Sequence, residues 1–355
     1  MNTKKENYSL IIVGAIIGAI AIVLMKMGNP GNMGFCIACF IRDTAGAIKL
    51  HTAPVVQYLR PEIIGIVLGS FFISLATGEF KPRGGSSPAT RFFLGLMLSI
   101  GALVFLGCPL RMVLRMGAGD LNAWVGFIGF VLGVFAGTIF LRKGFSLNRT
   151  HNLGCAEGSI TPIFQVVLLA ILLFAPSALA FSEEGPGSKR APLWIALVLA
   201  LVVGALAQRT RICQAGGVRD IIMFNDWTLM WGSIAILVAA IIGNVVIGNV
   251  NIAFTEQPIA HNEWIWNILG LFIVGMTATL LGGCPMRQLA LTGTGNTDSA
   301  VTYFGMLVGA AFAHNFKLAS SGEGTTPGGR MATVIIIVIL FVIAALNTRR
   351  NNANA

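Results

Sequence analysis

Four cysteines stand beside helix breakers and arginines in two pairs of like segments. Cys36 and Cys39 precede Arg42-Asp43, and Cys213 precedes Gly216-Gly217 and Arg219-Asp220; Gly107-Cys108-Pro109-Leu110-Arg111 is answered by Gly283-Cys284-Pro285-Met286-Arg287. Cys36 lies 177 residues before Cys213, and Cys108 lies 176 before Cys284. Sulfur is soft and polarizable, hydrogen-bonds weakly, ligates soft metals and exchanges with other sulfur. A duplicated, thiol-lined substrate pathway through Cys36, Cys108, Cys213 and Cys284 is the economical reading, because an apolar core has no need to set each thiol beside a breaker and an arginine. Cys39 has no counterpart, since Gly216 occupies its place; packing and a place on the pathway both stay open for it. Cys155 reads as an inert small hydrophobe.

Arg42, Arg111, Arg219 and Arg287 are the second element. A basic side chain deep in a bilayer is costly unless it is paired, hydrated or facing a cavity. Two roles stay open: stabilising an anion, or structural pairing with Asp43 and Asp220 and snorkelling to the interface. Neighbours on a helix point apart, so each aspartate is expected to meet an arginine from another segment. Arg115 extends the positive surface or reaches water. His51, His151, His261 and His314 show no metal-ligand spacing, and no cofactor or resident metal is expected. The alternative reading is a membrane thiol-redox or persulfide-transfer enzyme, with Cys36-x-x-Cys39 as a dithiol pair. Against it, no quinone, haem or nucleotide motif is recognisable. A copper(I) or zinc site on converging thiols is a weaker third possibility.

The elements that must position these residues are membrane spans. The chain is 55% hydrophobic and 11% charged, with a mean hydropathy of +0.80, whereas soluble domains carry about a quarter charged residues. The net charge of +10 is scattered over loops and helix ends, which argues for topology rather than nucleic acid. Ten runs approach the roughly 20 apolar residues a bilayer requires: 10–27, 61–77, 91–106, 121–141, 161–181, 193–208, 227–248, 264–281, 298–316 and 331–346. Ser87-Pro88 and Thr161-Pro162 offer capping hydroxyls, as Asp120 and Asp298 offer carboxylates. The expected fold class is an all-α integral membrane protein with re-entrant half-helices.

Five spans separate the two cysteine-bearing units, so the second enters the membrane in the opposite sense. The expected organisation is a first inverted repeat over 1–150, a linker and connecting span over 151–192, a second repeat over 193–316, and a final span and tail over 317–355. Such folds hold substrate near the midplane among discontinuous helices. Basic residues place both termini in the cytoplasm: Lys4, Lys5, Lys81, Arg83, Arg142, Lys143, Arg149, Arg209, Arg211, Arg349 and Arg350 share one side. Lys189, Arg190, Lys317 and Arg330 run against that contrast. The repeat continues past the cysteines, where Gly117, Gly119, Gly129 and Gly133 match Gly293, Gly295, Gly305 and Gly309. Four-residue spacing puts such glycines on one helical face, where another helix can approach.

The paired Gly-Cys-Pro-x-Arg segments, the Cys…Arg-Asp segments and the inverted hydropathy resemble the YeeE/YedE family of bacterial sulfur-transport membrane proteins over the whole chain. Cys36-x-x-Cys39 is more similar to the YedE branch associated with selenium metabolism than to the thiosulfate-importing branch. The resemblance implies an inner-membrane importer in which a small sulfur-containing anion, or a selenium analogue, passes between cysteines by weak S–H···S contacts. It carries the pathway role to Cys36, Cys108 and Cys284, and by internal repeat to Cys213. It also implies a cytoplasmic sulfur- or selenium-handling partner.

Overall fold

Without water in the hydrocarbon core, a spanning segment must satisfy its backbone internally, and helices do so. The computed structural model describes residues 3–353. In chain order the helices are α1 (Thr3–Lys26), α2 (Ile37–Ala47), α3 (Pro61–Ala76), α4 (Pro88–Phe105), α5 (Pro109–Gly117), α6 (Leu121–Arg142), α7 (Cys155–Gly158), α8 (Ile160–Phe174), α9 (Gly185–Ser188), α10 (Leu193–Thr210), α11 (Gln214–Phe224), α12 (Thr228–Ile247), α13 (Trp264–Leu281), α14 (Pro285–Thr292), α15 (Thr297–Asn315) and α16 (Pro327–Ala353). A two-residue antiparallel ribbon, Arg83–Gly84 with His151–Asn152, is the only sheet among the described residues. The chain is an all-α, multi-pass membrane protein.

Nine of the ten expected spans each coincide with a helix, and the tenth, 161–181, is helical only as far as Phe174, with a short 3-10 turn at Pro176–Ala178 beyond it. Seven helical segments are long and apolar enough to cross a bilayer: α1, α4 with α5, α6, α10 with α11, α12, α13 with α14, and α16. Helices α3 and α8 are apolar but shorter. Helix α15 carries Asp298 and lies mostly buried. The side chains of Lys4, Lys5, Arg349 and Arg350, used above for orientation, lie outside the described residues.

The helix starts correct three expectations. Ser87 occupies the N-cap of α4 but makes no capping hydrogen bond, and Thr161 lies inside α8. Asp120 does cap α6, accepting from the Asn122 N–H at 2.9 Å. Asp298 does not cap α15; Asn296 does, accepting from the Ser299 N–H at 3.0 Å. Asp298 instead accepts from the Ser86 N–H and hydroxyl across the bundle.

Pairing between helices is reciprocal. The most extensive contacts form two sets, α1 with α12 and α10 with α3, and α4 with α15 and α13 with α6, and α4 meets α13 directly. The matched glycines make the second set possible. A Cβ at Gly129 or Gly133 would collide with the Ile268 or Phe272 carbonyl of α13, and one at Gly305 or Gly309 with Phe92 or Leu96 of α4. Gly119 and Gly295 turn the chain at φ +94° and +84°. Beyond the first turn, Asn251 and Ala253 of the α12–α13 loop donate N–H bonds to the Ala118 and Gly119 carbonyls. Beyond the second, Lys81 and Arg83 of the α3–α4 loop donate to Thr294 and Gly295.

Candidate functional site

Each of the four duplicated cysteines is the N-cap of a short helix: Cys36 of α2, Cys108 of α5, Cys213 of α11 and Cys284 of α14. Three of these helices follow a sharp break, made by Leu106, Arg211 and Gly282 in left-handed conformation at φ 63°, 57° and 81°. Pro109 and Pro285 then restart the chain at N1, where proline loses no hydrogen bond. Gly216 and Gly217 act differently from the expected breakers, since both sit inside α11. They admit helix α12, whose Leu229 and Met230 lie against them.

The thiols gather in two clusters. In one, the Cys213 sulfur accepts the Gly216 N–H at 3.3 Å and the Cys284 N–H at 3.2 Å. The Cys284 thiol donates to Gln214 Oε1 at 3.2 Å and contacts the Cys213 thiol. In the other, the Cys36 sulfur accepts the Cys39 N–H at 3.4 Å, and the Cys36 thiol lies beside those of Cys108 and Cys39. All five cysteines are free and buried, with exposures of 0–4%. Helix α2 touches α14, and α5 touches α11, so the clusters sit on adjoining elements. Cys155, in contrast, is exposed on the short α7. The surface grooves run elsewhere, such as the apolar one between Ile11 of α1 and Trp231 of α12.

The arginines divide by location. Arg42 donates from Nε and Nη2 to Oδ1 of its own neighbour Asp43 at 2.9 and 2.7 Å, and Arg219 does the same to Asp220 at 2.8 Å. This corrects the expectation that adjacent residues point apart: away from water, arginine's long stem folds back over the next side chain. Asp43 also meets an arginine from another segment, Arg60, at 2.7 Å, and all three groups are buried. Among the described residues Arg111 reaches no carboxylate. Its guanidinium donates to the Asn32, Leu106, Pro258 and Ile259 carbonyls and lies 3.9 Å from the Cys39 sulfur. Arg115 pairs with Asp120 at 2.6 Å rather than reaching water. Arg287 donates to Gln208 Oε1 at 3.0 Å, and its neighbours include Arg211, Arg83 and the thiols of Cys213 and Cys284.

A profile described as sulphur transport matches residues 209–352, which include the Cys213–Cys284 cluster. A thiosulfate transporter, TsuA, from Spirochaeta thermophila is 27% identical over 117 residues, 32% of this chain and 34% of that protein. This resemblance to the YeeE/YedE sulphur-transport family lies in the second half of the chain. The aligned part spans about a third of the length of that curated relative.

The chain also carries candidate site residues that its sequence did not single out. Gln214 and Gln288 border the second cluster, each buried with one amide atom unpartnered, Nε2 and Oε1 respectively. Gln288 Nε2 donates to the Leu281 and Gly283 carbonyls at the helix break. Asn29 ties the Cys36 loop together, donating to Gly34 O at 3.2 Å and Glu62 Oε1 at 2.7 Å and accepting the Ala191 N–H at 2.9 Å. Glu62, an acid at the start of an apolar span, was the available signal.

Proposed function

We propose that this protein imports a small sulfur-containing anion, thiosulfate-like, or its selenium analogue, across the bacterial inner membrane along a path through Cys36, Cys39, Cys108, Cys213 and Cys284. The observation that carries the reading is thiol-to-thiol contact at the N-terminal ends of four buried short helices. Helix N-termini present unpaired N–H groups and a positive dipole end, which suit an anion. A bulky soft anion sheds water less reluctantly than a small hard one, and thiol contacts are weak enough to release it, as conduction demands. The thiols here are closed off, so passage requires the clusters to open.

In this reading the halves are inverted repeats, with both termini cytoplasmic and the reciprocal helix pairing forming the interface that holds the path. A cytoplasmic sulfur- or selenium-handling protein takes the cargo. The arginines supply a positive surround, with Arg287 the member nearest substrate.

The experiment is uptake in cells lacking other sulfur importers, with thiosulfate competed against selenium compounds. Cys108→Ala and Cys284→Ala abolish uptake while leaving the protein in the membrane. Unchanged uptake in both variants overturns the relay, and the competition identifies the substrate.

A further inference from the structure

The two thiol clusters are not chemically alike. Ile37 follows Cys36 where Gln214 follows Cys213, and Met112 stands four residues after Cys108 where Gln288 stands four after Cys284. Around the first cluster these positions are apolar and fully buried, and a third thiol, Cys39, is added. Around the second they are amides. Gln214 is 3% exposed, and its Oε1 is held by the Cys284 thiol at 3.2 Å. Its Nε2 has no partner among the described residues.

Burying an amide N–H group without a partner is costly, so its presence beside two thiols calls for a ligand. The Gln214 amide is anchored at the sulfurs, which fixes its free donor beside the same point. Nearby stand the N-terminal ends of α11 and α14 and the cation of Arg287, which has no carboxylate partner among the described residues. Thiols suit the soft end of an anion. An amide donor suits an oxygen.

We propose that Gln214 is a specificity-determining residue that donates from Nε2 to an oxyanion oxygen of the cargo while its soft terminal atom rests against Cys213 and Cys284. The inference rests on the transport reading above and narrows its substrate class to anions with one soft end and one oxygenated end. The first cluster, lacking such an amide donor, contacts only the soft end of the intact anion.

The test uses purified full-length protein and thiosulfate as the probe, reading the concentration that half-maximally raises the unfolding temperature, alongside the uptake KM. Gln214→Met copies the apolar character that Ile37 has in the first cluster. Gln214→Glu keeps an acceptor for the Cys284 thiol and replaces the amide donor; it carries the test if the methionine variant fails to fold. We expect the half-maximal concentration and KM to rise about tenfold or more, the loss of one hydrogen bond to a charged group, with the ligand-free unfolding temperature unchanged. Wild-type response in both variants overturns the role of Gln214 while leaving transport intact. A wild-type protein that neither responds to thiosulfate nor takes it up removes the transport reading and this inference together.

Discussion

Arg111 and Arg287 occupy matching places after Gly-Cys-Pro, yet their guanidinium groups serve opposite purposes. Arg111 is fully buried and bonded to four backbone carbonyls, one of them the Leu106 carbonyl at the end of α4. At the equivalent break in the second half the carbonyls of Leu281 and Gly283 are taken by Gln288, at 3.1 and 3.4 Å. Arg287 is thereby released from backbone duty and holds only a neutral amide, Gln208.

The two arginines therefore fail differently when replaced. Arg111→Gln strands several buried acceptors, each costing about 1–3 kcal/mol, and should lower stability by on the order of 3 kcal/mol. A large fall in the unfolding temperature of purified protein is the expected readout. Arg287→Gln should leave that temperature nearly unchanged and cut uptake about tenfold, the value of a charge-assisted contact to an anion. Equal effects of the two substitutions on stability would contradict the division of roles.

The aspartates divide in the same way. Asp43 holds Arg42 and Arg60 with side-chain exposures near zero, whereas Asp220 holds Arg219 alone, at 14% and 27%. Asp43→Asn leaves two buried guanidinium groups short of their counterion and should cost about 3–5 kcal/mol. Asp220→Asn should cost under about 1 kcal/mol. Thermal unfolding of the two variants side by side checks the ranking.

Much of this arrangement was legible before any coordinates. Gly-Cys-Pro marks the restart of a helix, because proline favours the first helical position, while the left-handed residue that makes the break, Leu106 or Gly282, stands just before the motif. The Cys36 and Cys213 segments were legible through their repeat. What escaped is instructive. The candidacy of Gln214 and Gln288 depends on which amide atom is left over after neighbours are satisfied, and that is a property of packing. Arg60 sits before α3 and far in sequence from the aspartate it completes. The self-pairing of Arg42 with Asp43 also ran against helix-face geometry, which describes short side chains better than arginine.

The glycine faces give a prediction on stability alone. At Gly133 and Gly309 a Cβ would meet a backbone carbonyl of the partner helix, Phe272 and Leu96 respectively. Backbone cannot rotate aside as a side chain can, so alanine at either site must push two helices apart. Each substitution should cost about 1–3 kcal/mol. Gly154→Ala, where a Cβ meets nothing, is the control and should be nearly neutral by the same unfolding measurement.

The start of α13 is tied to the start of α16 by one carboxylate. Glu263 accepts from the Thr325 N–H at 3.0 Å and from the Thr325 hydroxyl, and it pairs with Arg330. Partial burial pushes the Glu263 carboxyl up, but the Thr325 bonds and the Arg330 charge prevail and hold it below the ordinary value of 4.5. A carboxyl depressed in the folded state contributes stability above its unfolded value and loses it as pH falls through the folded one. The tie should therefore hold at neutral pH and release only below pH 4.5. Because the pair is about one-third exposed, its contribution should be under about 1 kcal/mol. Hydrogen exchange of the segment 317–326, compared between neutral pH and pH 4 after correction for intrinsic rates, should show loosening on acidification. In Glu263→Gln the segment should exchange faster at neutral pH and show no further acid-dependent change; an acid response that survives the substitution would assign the tie to another group.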